Sequence, residues 1–383
     1  GYFFRDLSNY EMQWTVLRNG KPEQKGMINN LNVAPQQKQT ISVPLKALNS
    51  NDEYFLNVSY RLKNAEPYLA KGYEIAVDQM ALNESKPAPA RAATSGKINV
   101  DEGNYTVSGQ NFSIKFDEEK GAMTDYKFKN QTYLTNAFVP SYWRAPVDND
   151  MGAGFNKSKR MFRNAYEQGK ITNKSIRMNG TSAEVTFEKE ILNGDAIQRV
   201  VYTISPDGSM EVYNQFKALK GDYKTIMRSG NNAEMEKAFG NIEFYGRGPW
   251  ENYKDRKWAS EIGIYKQKVD EQYFPYARPQ ESGNKSDVRW VQLTDGKGRG
   301  LRFEAVSDYL GFSALPYSLD DLDPEVDKRQ YHSGELNKKD RIYLHIDLDQ
   351  SGVGGVDSWG TPALDKYLIP YKDYEYRFRV KPL

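Results

Sequence analysis

The sequence predicts an all-β fold in two domains. Apolar and aromatic residues alternate with polar ones over many short stretches, and this period of two is typical of strands. Aromatic residues make up 13% of the chain, enough for a β-rich core although hydrophobic content is only 38%. The best helix candidate, residues 157–168, is short and highly charged. Because 383 residues exceed one ordinary core, two domains are expected.

Residues 1–84 are predicted to form a small β-sandwich. Alternation begins at Tyr10 and runs to Val16, and Asn19-Gly20 then supplies a hairpin turn. Residues 54–62 form a second alternating strand. A third begins with Tyr73, Ile75 and Val77.

Residues 85–97 are rich in Pro, Ala and Ser and contain little to bury, so they are predicted to be a linker. Alternation resumes in residues 98–383, for example at 112–116, 344–348 and 374–380. A stretch of this length is more than a simple sandwich needs. It therefore predicts a large antiparallel double-sheet architecture with long loops.

Composition narrows the function classes. The net charge is +2 and no basic block occurs, so nucleic acid is not an expected partner. No apolar run approaches the ~20 residues of a membrane helix. The first residues lack the features of a signal peptide and an initiator Met, which suggests a processed or truncated chain. The absence of Cys excludes thiolate zinc sites, but bacterial cytoplasm and periplasm both remain open.

Three loop segments combine aromatic rings with carboxylates, amides and guanidinium groups: residues 144–150, 248–256 and 352–359. Aromatic faces cover the C–H face of a pyranose, while the polar groups hydrogen-bond its hydroxyls. These clusters therefore predict carbohydrate binding. The candidate groove residues, which could instead be structural, are Arg144, Asp148, Asn149, Asp150, Trp250, Glu251, Asn252, Tyr253, Asp255, Arg256 and, outside these segments, Glu281.

The carboxylates of these clusters allow two interpretations. Asp148 and Asp150 would share one side of an extended segment, at about the ~5–5.5 Å that a retaining glycosidase needs. Glu251 and Asp255 form a second pair. Alternatively, these groups cap turns and pair with nearby arginines. The pairs alone do not identify a catalytic dyad.

No metal site is expected from the sequence. Residues 148–152 superficially resemble a calcium loop, but Gly152 and Lys159 stand where ligands belong, so only a looser oxygen site remains open. His332 and His345 lack the spacing of a zinc site.

Trp359 is the candidate for a ring that contacts sugar. Asp357, Ser358, Gly360 and Pro362 surround it with residues typical of loops, which favours an indole at a loop tip or domain seam. A place in the core is the alternative, because Trp is highly buried on average.

These segments resemble a known family. Together with residues 276–283, they are similar to the signature segments of the C-terminal domain of the β-galactosidases of glycoside hydrolase family 2. Residues 4–20 resemble the immunoglobulin-like domain that precedes it. The resemblance implies an immunoglobulin-like β-sandwich followed by an antiparallel supersandwich similar to galactose mutarotase, the small-chain domain.

The resemblance also implies a role. The family's catalytic glutamates lie on a (β/α)₈ barrel that this chain lacks. The chain would be the non-catalytic C-terminal part of a retaining enzyme that hydrolyses terminal β-D-galactosides such as lactose. Its partners would be that barrel and a galactoside, and a homo-oligomer is compatible with the family. Mg²⁺ and Na⁺ would belong to the barrel, with no cofactor in this part.

Trp359 matches the family's tryptophan that forms an apolar platform in the aglycone position, and Asp357 and Ser358 would bind substrate beside it. Val356 departs from the family, which often has an acidic residue there, so the polar contacts of the loop are in doubt.

Two alternatives remain open. The second domain could act as an aldose 1-epimerase-like domain with Glu281 as a base, since mutarotation needs a general acid and a general base. The chain could also be a stand-alone carbohydrate-binding module.

Overall fold

The computed structural model describes residues 4–87, 95–326, 330–357 and 359–383. They form two compact units: residues up to 85 with Glu261–Ile264, and residues 86–260 with 265–383. Both units consist mainly of β-strands, and the paired strands run antiparallel to each other. The predicted all-β fold is confirmed. Residues 88–94 of the predicted linker lie outside the described residues.

The first unit contains a four-stranded sheet with the order β2-β1-β3-β4. Its strands are β1 (Tyr10–Arg18), β2 (Lys21–Ile28), β3 (Tyr54–Leu62) and β4 (Glu74–Ala81). The alternating apolar side chains of β1 and β3 form the core, and Leu31, Ile41 and Val43 from the long β2–β3 connection pack against them. The predicted turn at Asn19-Gly20 is present, with φ of 48° and 77° at its two residues.

The strand predicted from Tyr73, Ile75 and Val77 is present as β4, but these side chains are exposed. β4 lies at the edge of the sheet and pairs with β3 alone in the described part of the unit. Alternation therefore predicted the strand correctly but did not identify a buried face.

Twenty further strands follow among the described residues, all in the second unit except Glu261–Ile264 of β17, which belong to the first. They are β5 (Ile98–Asp101), β6 (Thr106–Gly109), β7 (Phe112–Asp117), β8 (Ala122–Phe128), β9 (Gln131–Ser141), β10 (Lys170–Asn179), β11 (Ser182–Ile191), β12 (Ala196–Ile204), β13 (Met210–Ala218), β14 (Thr225–Ile226), β15 (Arg228–Glu236), β16 (Asn241–Gly248), β17 (Glu261–Lys268), β18 (Lys285–Val288), β19 (Trp290–Thr294), β20 (Gly300–Ala305), β21 (Leu310–Leu315), β22 (Arg341–Gln350), β23 (Ile369–Pro370) and β24 (Tyr374–Pro382).

Two nine-stranded sheets contain eighteen of these strands, and β14 and β23 form a separate two-stranded sheet. Sheet I has the order β10-β11-β12-β13-β24-β20-β19-β16-β17, and sheet II has the order β18-β21-β22-β15-β9-β8-β7-β6-β5. One hydrophobic core joins the sheets. Phe138 of sheet II meets Phe303 and Phe378 of sheet I edge to face, at ring distances of 6.1 and 5.1 Å. This is the large double-sheet architecture that the sequence predicted.

In the described parts of the chain, helical structure is confined to single turns. The α-helical turns are α1 (Asp148–Gly152), α2 (Phe155–Ser158) and α3 (Leu319–Leu322), and the 3₁₀ turns are Arg160–Phe162, Leu192–Gly194, Lys237–Phe239, Val269–Glu271, Ser333–Glu335 and Asp365–Tyr367. The candidate helix at 157–168 is absent as a continuous helix, because Lys159 leaves helical geometry at φ −114° and ψ 8°. Among the described residues, no helix has the length and apolar character needed to cross a membrane.

Candidate functional site

The site is built on the loop after β22, here called the Trp359 loop (residues 350–361), with a loop base at 350–354 and a loop tip at 355–361. Arg144 forms hydrogen bonds to the loop base. Its buried guanidinium forms two hydrogen bonds to Asp150, at 3.0 and 2.8 Å, and donates to the carbonyls of Ser351 and Gly352. The pair joins α1 to the loop base, since a bidentate contact fixes orientation as well as distance.

Asp255 holds the same loop base from the side. Its carboxylate accepts from the backbone N–H of Val353 at 3.1 Å and of Gly354 at 2.7 Å. A Cβ at Gly352 would lie 2.7 Å from this carboxylate, so the close approach requires glycine. Asn149 adds a bond from its amide to the carbonyl of Val353, at 2.9 Å. Residues from all three predicted clusters therefore meet at the loop base.

The loop tip is ordered by Asp357. This carboxylate accepts from the N–H of Trp359 at 2.8 Å, and from the N–H and hydroxyl of Thr361 at 3.2 and 2.7 Å. The hydroxyl bond, followed by the backbone bonds, lowers the pKa of Asp357. Asp357 is therefore a turn-forming residue in this structure. Ser358, the other predicted neighbour of the ring, lies outside the described residues.

Trp359 itself is 93% exposed. The loop turns back immediately after it, because Gly360 adopts φ +99° and packs against α1, where a Cβ would lie 2.4 Å from the carbonyl oxygen of Gly152. The indole is thus carried at the tip of a loop whose two ends are both held, and the alternative place in the hydrophobic core does not occur.

The first carboxylate pair differs from the expectation. The segment at Asp148 and Asp150 is not extended but is the helical turn α1, so the two side chains do not share one side as alternate strand residues would. Asp150 faces Arg144, whereas Asp148 is partly exposed and faces Arg278 and Gln280, each at 3.3 Å. The interpretation as arginine partners and turn residues fits this geometry.

The second pair, Glu251 and Asp255, is also separated by its contacts. Glu251 accepts from Arg256 at 2.6 Å, from the N–H of Gly283 at 2.8 Å and from the hydroxyl of Tyr276. Asp255 is engaged by the loop base. The two carboxylates therefore have different hydrogen-bond partners in different segments of the chain.

The remaining residues of the 248–256 cluster divide into buried and exposed groups. Asn252 and Tyr253 are buried, and Asn252 bonds the carbonyls of Arg247 and Trp250, both at 3.0 Å. Trp250 is 72% exposed. In this cluster the indole of Trp250 faces solvent, while the buried Asn252 holds the backbone on which it is carried.

A buried ionic group beneath the loop base was not predicted. Arg228 pairs with Glu281 at 3.0 Å and with Asp347 at 3.2 Å, and its Nη1 lies 2.9 Å from Nδ1 of His345. Burial raises the pKa of Asp347 to about 7 and also raises that of Glu281. Burial, together with Arg228, lowers the pKa of His345 well below its usual value. Glu281 is thus a buried ion-pair partner. Polar residues inside apolar strand sequence, such as Asp347 between Ile346 and Leu348, were the available signal.

Metal coordination finds no support in this geometry. Within the described ranges, no group of three or more His, Asp or Glu side chains is arranged to hold an ion.

Comparison with known proteins follows the same division of the chain. Residues 108–380 match the family model of the β-galactosidase small chain, and residues 1–83 match that of β-galactosidase domain 4. A β-galactosidase of Priestia megaterium is 34% identical over 100% of this chain and 37% of its own length. A β-galactosidase of Streptococcus thermophilus is 29% identical over 99% and 36%. The chain thus spans little more than a third of these relatives.

Similar solved structures include a galactose mutarotase related enzyme from Lactobacillus acidophilus, with a TM-score of 0.43, 9% identity, and coverage of 73% of this chain and 97% of that one. Galactose 1-epimerase from Lactobacillus acidophilus NCFM has a TM-score of 0.42 and 6% identity, and covers 75% and 99%. A likeness at these scores carries no argument about activity.

Proposed function

The chain belongs to the β-galactosidase family, and we propose that it forms the C-terminal part of a longer retaining β-galactosidase. In that enzyme it supplies no catalytic carboxylate. It instead presents the indole of Trp359 to the sugar bound by a (β/α)₈ barrel, to which we also assign the Mg²⁺ and Na⁺ ions. The substrate would be a terminal β-D-galactoside such as lactose.

The observation that carries this proposal is the contrast at Trp359 between a held backbone and an exposed ring. An indole that is 93% exposed at the tip of an anchored loop has little role in the stability of the unit. An aromatic face in a fixed position suits stacking on the C–H face of a sugar, and little conformational freedom is lost on binding.

The state of the carboxylates supports a non-catalytic role. A retaining glycosidase needs two carboxyls ~5–5.5 Å apart that are available to substrate. In the part of the site that is described, Asp150, Glu251, Asp255 and Glu281 are each engaged by an arginine or by backbone N–H groups. Withdrawing any of them for chemistry would leave its partner unsatisfied.

Replacing Trp359 in the longer enzyme tests the proposal. One lost stacking contact of about 1 kcal/mol corresponds to a roughly fivefold weaker binding of sugar acceptors. We expect Trp359→Ala to show this loss in transgalactosylation and lactose assays, with the rate of galactosyl transfer changed less than about twofold. Trp359→Phe should keep most of the acceptor binding.

Trp258→Ala is the matched control, since it removes another exposed indole of the second unit that lies outside the three predicted clusters. It should leave acceptor binding unchanged. Equal acceptor kinetics in Trp359→Ala and the unmodified enzyme would contradict the proposed role of the ring. Hydrolysis of a chromogenic galactoside by the purified 383-residue chain alone would contradict the non-catalytic role.

A further inference from the structure

A cleft of ≈ 780 Å³ lies on the outer face of sheet II. Its floor comes from β8, β9, β15 and β22, which are neighbours in the middle of that sheet. Residues 163–167 and 318–320 form parts of its walls. None of the described lining residues belongs to the Trp359 loop, so this inference does not rest on the proposed function.

The floor is polar because strand residues alternate between the two faces of the sheet. On β22, Tyr343 and His345 line the cleft together with Leu344, which also belongs to the core between the sheets. On β15, Asn232 and Glu234 line the cleft together with Ala233, which belongs to the same core.

The strand register places these four side chains in a compact group. His345 is opposite Asn232, and Tyr343 is opposite Glu234. Directly opposite residues of an antiparallel pair have Cβ atoms about 4.5–5.5 Å apart. The floor therefore presents an imidazole, an amide, a phenol and a carboxylate within the span of one small ligand.

Two of these groups can be assigned hydrogen-bonding roles. A guanidinium can only donate, so Nδ1 of His345, 2.9 Å from Nη1 of Arg228, accepts. The neutral imidazole then carries its proton on Nε2, which lies 3.5 Å from the same Nη1. Oδ1 of Asn232 is buried and has no hydrogen-bond partner among the described residues. A buried acceptor of this kind normally has a ligand or a water as its partner.

Three cationic groups of the cleft, on Lys189, Arg163 and Lys339, are already engaged. Nζ of Lys189 donates to the carbonyl of Tyr166 at 2.9 Å, and Arg163 contacts Asp320 and also Asp323, the latter at 3.0 Å. Lys339 pairs with Asp321 at 3.0 Å. Burial lowers the pKa of Lys189 and raises that of Glu167. An ionic ligand would have to displace these pairs, whereas a neutral ligand would not.

Apolar side chains complete the lining, among them Ala122, Val139 and Leu319. The volume falls in the range of about 300–1,000 Å³ that is usual for small-molecule sites. A neutral ligand with many hydroxyls on a C–H framework matches both the polar floor and the apolar patches. We propose that this cleft is a second carbohydrate site, which binds a neutral mono- or disaccharide.

Calorimetric titration of the purified chain with galactose, glucose and lactose tests this site. We expect at least one of these sugars to bind with a Kd on the order of 1 mM. Asn232→Leu removes the acceptor with little change in volume and should weaken binding about tenfold, as for one lost hydrogen bond of about 1.4 kcal/mol. Asn173→Leu, on exposed β10 of sheet I, is the matched control and should bind like the unmodified chain.

Trp359→Ala should also leave this binding unchanged, which separates the cleft from the proposed platform. Should Asn232→Leu fail to fold, sugar-induced NMR shifts of the amides at 232–234 and 343–345 in the unmodified chain provide the same test. The proposal is overturned if no sugar binds at about 100 mM, if sodium galactonate binds more tightly than every neutral sugar, or if Trp359→Ala alone abolishes binding.

Discussion

The base and the tip of the Trp359 loop have opposite characters. At the base, Arg144 and Asp255 hold the backbone with buried or half-buried charged groups. At the tip, Trp359 exposes almost its whole side chain. The carboxylate and guanidinium groups that the sequence suggests as sugar ligands instead form hydrogen bonds within the protein. In this loop, the polar and charged side chains therefore support the backbone, whereas Trp359, which has the fewest contacts, is available to a ligand.

Replacing Arg144 should have the largest effect on this contrast. Arg144→Ala leaves Asp150 buried without its partner, which typically destabilises a protein by about 3–5 kcal/mol. Urea denaturation of the chain measures this loss. Arg144→Lys keeps the charge without the bidentate geometry, so its stability should lie between those of the unmodified chain and Arg144→Ala.

Arg278→Ala is the matched control, because Arg278 pairs with the partly exposed Asp148 at 3.3 Å. Its loss should stay below about 1 kcal/mol. Similar losses for Arg144→Ala and Arg278→Ala would mean that the loop base is not the rigid element described.

Replacing Asp255 should have a smaller and more local effect. Asp255→Ala removes the acceptor for the N–H groups of Val353 and Gly354, and unpaired groups of this kind cost about 1–3 kcal/mol of stability. Hydrogen exchange should accelerate at these two amides and much less in β22. Uniform acceleration throughout sheet II would show that Asp255 acts on the whole fold.

The buried group around Arg228 should give the chain a distinctive pH dependence. The pKa of Asp347 is raised to about 7 in the folded chain, against about 3.9 in an unfolded one. Between these values the folded state holds a proton that the unfolded state has lost, so stability falls as pH rises, by at most about 1.4 kcal/mol per unit, and levels off above pH 7.

Glu281, whose pKa burial also raises, acts in the same direction. His345 acts oppositely below about pH 6.5, because burial lowers its pKa. The comparison with Asp347→Asn between pH 5 and 8 therefore isolates the aspartate, and the variant should lose less stability with rising pH. Parallel curves for the two proteins would exclude Asp347 as the titrating group.

The sequence predicts the strands well, but it does not predict that the three clusters meet at the loop base. Period-two alternation identifies β1, β3, β22 and β24, because a strand's faces are set by local sequence. It does not determine which residues are buried, as the exposed Ile75 of β4 shows, because burial depends on what lies against the strand. It also misses the turn α1, since Asp-Asn-Asp after Pro is compatible with the first turn of a helix as well as with an extended segment.

The pairing of Arg228 with Asp347 and Glu281 could not be predicted from the sequence. Arg228 and Asp347 meet through the register of β15 and β22 in sheet II, and Glu281 reaches them from the connection before β18. The exposure of Trp359 was predictable, because the loop-forming residues around it are local. Its fixed position was not, because Arg144 and Asp255 reach the loop base from distant parts of the chain.

The most direct test of the central claim is a double-mutant cycle between Asp255 and Trp359 in the longer enzyme, read as acceptor binding. If the loop base acts only by placing the indole, Asp255→Ala combined with Trp359→Ala should bind acceptors no more weakly than Trp359→Ala alone. If the two losses add, Asp255 contributes to acceptor binding by a separate route, and the division between a supporting base and a binding tip is wrong.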